Sequence, residues 1–293
     1  MIFVTLQFCD FEPFFLTLFL LTMAIITLTS DWGLSDYYAP AVKGAIYSAL
    51  PDVNVVDITH NIEPFDVRSA AFIVKNCYKN FPKGTIHILA IDTEESVKNP
   101  HVVVKVNDHY FIGTDNYIFS LIIDQDPYEA VIIDIMQDTD YFTFSTRDRF
   151  VKVAVMLYNN ATLSDIGKPY VLKERIEIKP TYDANSIHGL VNYIDSYENL
   201  VTNIPQSLFE RIRAGRKFSI KLNYGFYKIN AIRNCYQEVP EPSILVALFG
   251  THGFLEIALN QAKAASLLGM DRDSPVDIYF EDEKTVSNSH TLF

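Results

Sequence analysis

Three sets of carboxylates stand where β-strands are predicted to end. Asp31 and Asp36 follow the first strand, Asp92 the third, and Asp195 a strand in the second half of the chain. Ligands of α/β sheets bind beyond the carboxyl ends of the strands. Carboxylates placed there can hold ribose hydroxyls, an ammonium group or a sulfonium. The same residues can equally cap a helix or close a turn. His60, in Asp57-Ile58-Thr59-His60, follows a buried strand and reads as a hydrogen-bonded structural histidine rather than a ligand. The phosphate loops G-x-x-x-x-G-K-[ST] and G-x-G-x-x-G do not occur, which disfavours nucleoside triphosphates and dinucleotides. There is no H-E-x-x-H, and the seven histidines form no ligand cluster, so no metal site is expected.

The elements that must position these residues alternate in the first half of the chain. Residues 23–29 predict a buried strand, followed by the polar loop Ser30-Asp31-Trp32-Gly33-Leu34-Ser35-Asp36. Pro40 opens a helix that runs to Leu50, since proline suits a first helical turn. Residues 53–59 predict the next strand. Asp66 can cap a helix whose Val67, Ala70, Ala71, Val74, Cys77, Tyr78 and Phe81 form one apolar stripe. Residues 84–91 predict a strand ending at Asp92, and 101–106 with 109–113 a hairpin turning at Asn107-Asp108. A strand over 130–135 and a helix over 149–159 complete a pattern that predicts a three-layer α/β domain. From about residue 170 short alternating stretches dominate, at 189–194, 217–222, 245–249, 254–258 and 276–280. They predict a smaller β-rich domain. The two domains are expected at 23–170 and 185–283, with the boundary inside a stretch containing Pro169 and Pro180.

Composition bounds the rest. A chain of 293 residues, 49% hydrophobic and 20% charged, can build a sizeable core. The net charge of −12 argues against a nucleic-acid surface, which needs a basic face. Cys9, Cys77 and Cys235 form no C-x-x-C pair, which fits a reducing, cytoplasmic setting. Residues 14–28 are an apolar run broken by threonines. Asp10 and Glu12 precede it, without Lys or Arg, where a signal peptide wants a positive leader. The expectation is that Met23 is the natural start, that residues 1–22 are a non-native or disordered extension, and that no membrane is involved.

A family resemblance runs from about Ala24 to Glu281. It is carried, in order, by Thr29-Ser30-Asp31-Trp32-Gly33…Asp36, Lys43-Gly44, Val56-Asp57-Ile58-Thr59-His60, Phe81-Pro82-Lys83-Gly84-Thr85, Asp115-Asn116 and Asp195…Asn199…Thr202-Asn203-Ile204. Together these segments resemble the S-adenosylmethionine hydroxide adenosyltransferases, relatives of the fluorinase and chlorinase. The resemblance implies a Rossmann-like N-terminal domain, a C-terminal β-barrel, and a homotrimer with sites at subunit interfaces. It implies that Asp31 holds the two ribose hydroxyls, and that Asp36 and Asp195 face the methionine amino group. Phe65 stands at an aromatic wall, Asn199 at the adenine edge and Tyr236 at the adenine face. Phe144, Thr146, Tyr197, Thr251 and His252 are further substrate-binding positions, with His252 where the fluorinase has an arginine.

The implied reaction is substitution at the ribose 5′ carbon with methionine as leaving group, S-adenosylmethionine being the substrate and no cofactor being needed. Asp92 matches the aspartate that serves the attacking water. Two neighbouring patterns depart from the family. The usual D-P-G-V-G-T-x-R-R becomes Asp92-Thr93-Glu94-Glu95-Ser96-Val97-Lys98-Asn99-Pro100, with Lys98 as the nearby cation, and F-H-G-R-D becomes Phe144-Ser145-Thr146-Arg147-Asp148. Ser145 thus replaces a histidine, and Glu198 replaces the glycine of D-x-F-G-N. The expected catalytic set is Asp92, Ser145 and Lys98, hydrolysing S-adenosylmethionine to adenosine and methionine. The alternatives are a low-turnover binding or sensor protein, motivated by the altered positions, and a halogenase. A carboxylate beside the nucleophile repels halide but accepts a proton from water, which ranks hydrolysis above halogenation.

Overall fold

The computed structural model describes residues 25–137, 142–175, 178–239 and 241–281. The proposed start at Met23 and the N-terminal extension lie outside the described residues. Along the chain run β1 (Ile25–Ser30), α1 (Tyr38–Ala49), β2 (Asn54–Thr59), α2 (Val67–Cys77), β3 (Ile86–Ala90), β4 (His101–Val106) and β5 (His109–Thr114). Next come α3 (Ile118–Ile122), β6 (Tyr128–Ile133), α4 (Val151–Tyr158), α5 (Leu163–Ile166), β7 (Gly167–Pro169), β8 (Thr181–Tyr182), β9 (Ser186–Ile194) and β10 (Leu200–Pro205). The chain ends with α6 (Gln206–Arg213), β11 (Phe218–Leu222), β12 (Tyr227–Ile229), β13 (Leu245–Phe249), β14 (Phe254–Leu259), α7 (Ala264–Leu268) and β15 (Pro275–Phe280).

Packing divides the chain into two units. The first takes the described residues of Met1–Asn61, Phe81–Thr114 and Pro127–Tyr170. Its seven-stranded sheet has the order β2-β1-β3-β5-β4-β6-β7. β1 pairs in parallel with β2 and β3, and β3 with β5. Every residue of β3 is buried, so both faces of this central strand are covered. Val42 and Ile46 of α1 and Val153 and Leu157 of α4 join Ile26, Leu28, Ile86, Ile88, Val103 and Ile112 in one core. The β4–β5 hairpin turns at Asn107 (φ 51°) and Asp108 (φ 62°) as expected, because a two-residue hairpin needs left-handed backbone at both positions.

The second unit takes Ile62–Asn80, Asp115–Asp126 and the described residues of Val171–Phe293. Its strands follow the order β12-β11-β15-β9-β10-β14-β13, with β8 on β9. Arg233, just beyond β12, donates its N–H to the Ala247 carbonyl at 2.8 Å and bridges to Leu248 of β13. That brings the two ends of the sheet together into a barrel. Burial alternates along β11, with Phe218, Ile220 and Leu222 inward, in the period-two pattern that the sequence predicts. Ile187, Val191, Leu200, Ile204, Leu255 and Ile257 fill the interior beside them. The unit also holds α2. Asp66 caps α2 as expected, its carboxylate accepting from the Ser69 N–H at 3.2 Å and the Ser69 hydroxyl at 2.6 Å.

The fold is therefore α/β, with a Rossmann-like first unit and a β-barrel second unit. Several elements were not anticipated, among them β10, β12, α3, α6 and α7. The helix expected from Arg149 is preceded by a wide π-type turn over Thr146–Phe150, and α4 begins only at Val151. Among the described residues no helix is long and apolar enough to cross a membrane.

Candidate active site

The first cluster forms where the chain changes direction across its sheet. From β1 it passes to β2 on one side, then returns to β3 on the other. Such a reversal leaves a crevice at the carboxyl ends of the two central strands. Ser30 of β1 and Ala90 of β3 are register partners. Asp31 is one residue beyond the first and Asp92 two beyond the second, so the two carboxylates leave neighbouring strands on the same edge. Both are partly exposed. Asp92 has φ 46°, a left-handed backbone that costs a residue with a side chain about 1 kcal/mol or more.

The loop carrying Asp31 is anchored from below. Gly33, at φ 69°, donates its N–H to the His60 carbonyl at 2.7 Å. His60 is buried; its Nδ1 lies 2.6 Å from the Ser30 hydroxyl and its Nε2 lies 3.1 Å from an Asp57 carboxylate oxygen. It has the structural role expected from its position. Trp32 stacks on the His60 ring at 6.3 Å and meets Phe144 edge-on at 5.9 Å. Tyr38 also meets Phe144 edge-on, at 5.4 Å. An aromatic wall thus stands beside Asp31, in which Trp32 and Tyr38 are members that the sequence reading left unassigned. Asp36 is exposed on the same loop.

Behind Phe144, Ser145 and Thr146 are buried, and the Thr146 Oγ1 has no protein partner among the described residues. Arg147 donates from Nε and Nη2 to Asp148 at 2.5 and 2.9 Å and lies 5.0 Å above the Phe144 ring. Lys98 is exposed on a tight turn in which Ser96 and Asn99 exchange backbone bonds at 3.1 Å.

A second cluster belongs to the barrel unit. The Asp195 carboxylate accepts from the N–H of Tyr197 at 2.9 Å, the N–H of Asn199 at 2.8 Å and the Asn199 amide at 3.0 Å. It shapes the β9–β10 turn and orients Asn199, while Tyr197 is exposed at the tip. Tyr236 donates its hydroxyl to Glu256 at 2.5 Å. Burial, Glu256 and the Asp195 charge together push the Tyr236 hydroxyl up, so it stays protonated as a donor. Nε2 of His252 lies 3.2 Å from the other Glu256 oxygen, and its Nδ1 accepts from the Phe254 N–H at 3.1 Å. Both His252 nitrogens are therefore engaged inside the unit. Glu256 is 5% exposed and was not singled out from sequence. Its place inside an alternating apolar strand was the available signal. Thr251 is exposed on the β13–β14 turn, and Phe65 is exposed at φ 68° just before α2.

Among the described residues, no group of three or more His, Cys, Asp or Glu side chains is placed to hold a metal ion. The first cluster offers carboxylates and aromatic rings, and the second a carboxylate, an amide and a phenol. A carboxylate can take a vicinal diol through two oxygens, the rings can face a base, and an amide can read its edge.

The chain is similar along most of its length to known proteins. An (R)-S-adenosyl-L-methionine hydrolase from Methanocaldococcus jannaschii is 27% identical, covering 87% of this chain and 96% of its own length. One of the same name from Thermus thermophilus is 26% identical, covering 87% and 99%. A fluorinase from Nocardia brasiliensis is 23% identical, covering 82% and 92%. The crystal structure of an uncharacterised conserved protein from Thermotoga maritima superposes with a TM-score of 0.78 at 26% identity, covering 87% of this chain and all of that one. The family model for the SAM hydroxide adenosyltransferase N-terminal domain matches residues 26–167, and the C-terminal domain model matches residues 189–277. With both halves of that architecture matched in order, the chain belongs to the SAM hydroxide adenosyltransferase family.

Proposed function

We propose that this protein hydrolyses S-adenosylmethionine to adenosine and L-methionine. The observation that carries the proposal is the departure of Asp31 and Asp92 from adjacent parallel strands at the reversal point of the sheet. Asp31 takes the ribose hydroxyls, which sets the 5′ carbon at a fixed distance from Asp92. Water attacks that carbon, the carbon–sulfur bond breaks, and its electron pair leaves on sulfur as neutral methionine thioether. The water proton passes to Asp92 and then to solvent. Asp92 also holds a water rather than a halide, since its charge repels an anion. Ser145 and Thr146 line the pocket for the nucleophile, and Lys98 completes it. Asn199 reads the adenine edge with Tyr236 and Phe65 beside its face, while Asp36, Asp195, Thr251 and His252 serve the methionine end. The protein acts as a homotrimer with sites at subunit interfaces, and it uses no metal or redox cofactor. The hydrolase relatives support this reaction.

Incubation of the purified protein with S-adenosylmethionine, followed by chromatography, is expected to show adenosine and methionine in equal amounts. Asp92→Asn is expected to lower kcat by about a hundredfold or more. No adenosine, together with tight binding in calorimetry, would establish the sensor reading instead.

A further inference from the structure

Asp92 is held in a left-handed conformation, and the loop after it must be fixed from outside to keep it there. One set of bonds to that loop comes from Arg149, in the π-type turn of Thr146–Phe150. Its Nη1 donates to Glu95 at 2.6 Å and to Nδ1 of His101 at 3.1 Å. Nε2 of His101 lies 2.9 Å from the carbonyl of Thr93, the residue next to Asp92. A carbonyl only accepts and a guanidinium only donates, so Nε2 carries the ring proton and Nδ1 is bare. His101 is fully buried and packs edge-on against Phe150 at 4.7 Å. Burial pushes its ring pKa down and the Arg149 charge acts in the same direction, against the Thr93 bond and the Glu95 charge. Two contacts therefore hold the segment from Thr93 to Glu95, and both end on one guanidinium. Lys98, the cation expected from sequence, is exposed on the turn beyond.

Building on the hydrolase reading, we propose that Arg149 is the positioning residue of this active site, holding Asp92 at the attacking water through Glu95 and His101. The arginine lies on the π-type turn, Glu95 in the loop between β3 and β4, and His101 at the start of β4. Arg149 acts by fixing where the Asp92 carboxylate points. Misplacing a catalytic group by about 1 Å can cost on the order of a hundredfold in rate.

Steady-state kinetics on the full chain test this. Arg149→Met is expected to lower kcat by about ten- to a hundredfold while KM changes less than about threefold, because the ligand contacts remain. Arg149→Lys, which keeps the Glu95 pair, is expected to recover part of kcat, and Glu95→Gln to lower it without further loss in the Arg149→Met background. Hydrogen exchange at the amides of residues 93–99 is expected to quicken in Arg149→Met. An active wild type whose Arg149→Met and Glu95→Gln variants keep kcat, or lose only KM, overturns the proposal. Should Arg149→Met fail to fold, Arg149→Lys and Glu95→Gln decide alone. A wild type that releases no adenosine overturns the hydrolase reading itself, and the positioning role with it.

Discussion

Glu198 gives its carboxylate to Ser266, accepting from the backbone N–H at 3.0 Å and from the hydroxyl at 2.5 Å. Lys263 adds a third bond at 2.9 Å, and the Glu198 carbonyl accepts from the Ala265 N–H. These bonds cap α7 and draw the carboxyl down to about 2. They also explain how a glutamate stands at φ 64°, where the related pattern has glycine. Glu198→Ala loses the cap and keeps the strained backbone. Glu198→Gly loses the cap and relieves the strain. The glycine variant is expected to melt above the alanine variant, by roughly 3 °C in thermal denaturation. Equal melting temperatures would show that the backbone there is not strained.

Asp31 stands one residue past the register pair Ser30–Ala90, with its loop held by Gly33 and His60. Asp31→Ala is expected to weaken adenosine binding by about a hundredfold or more in calorimetry, the loss of two charge-assisted bonds to hydroxyls. Unchanged affinity would remove Asp31 from the ribose site.

Arg272 donates to both carboxylate oxygens of Asp66, one at 2.9 Å, and also to the Ser69 hydroxyl at 2.9 Å. Burial alone would raise the Asp66 carboxyl, but the bonds from Arg272 and Ser69 outweigh it and bring it to about 2. A lowered carboxyl supports the fold above its unfolded value near 4, and the support is lost as pH falls toward 2. Arg272→Ala is expected to cost about 2 kcal/mol in urea unfolding at neutral pH. An unchanged midpoint would show that the pair contributes nothing.

His87 is fully buried, with Nδ1 2.7 Å from the Thr27 hydroxyl and Nε2 3.2 Å from Nδ1 of His109. Burial, with some help from His109, brings its ring down to about 3. His109 and His101 are lowered in the same direction, chiefly by burial. The unfolded chain then binds protons that the folded chain refuses, so stability falls as pH drops from about 6.5 toward 3. The His87 share is on the order of 5 kcal/mol across that window. Melting temperature is expected to fall steadily below pH 6.5, and less steeply in His87→Gln. A flat profile from pH 7 to 4.5 would contradict the buried neutral ring.

Much of the first sheet was legible because its signals are local. Continuous apolar runs marked β1 and β3, Asn107-Asp108 marked a hairpin, and Asp66 marked a helix start. β10 and α6 escaped because Thr202-Asn203 breaks the apolar run, and because Pro205, rather than a Ser, Thr or Asp, precedes the helix. The π-type turn before α4 escaped because one extra residue in a turn leaves no mark on composition.

The sequence by itself determined which side chains stand at strand ends, since a strand stops where its apolar run meets polar and turn-forming residues. It thereby placed Asp31 and Asp92 at the ends of β1 and β3. Only the tertiary structure decided that those strands are neighbours, that Ser30 pairs with Ala90, and that Arg149 reaches Glu95 and His101 across 54 and 48 residues. Strand order and side-chain reach follow from how distant segments bury one another, and no local periodicity encodes that.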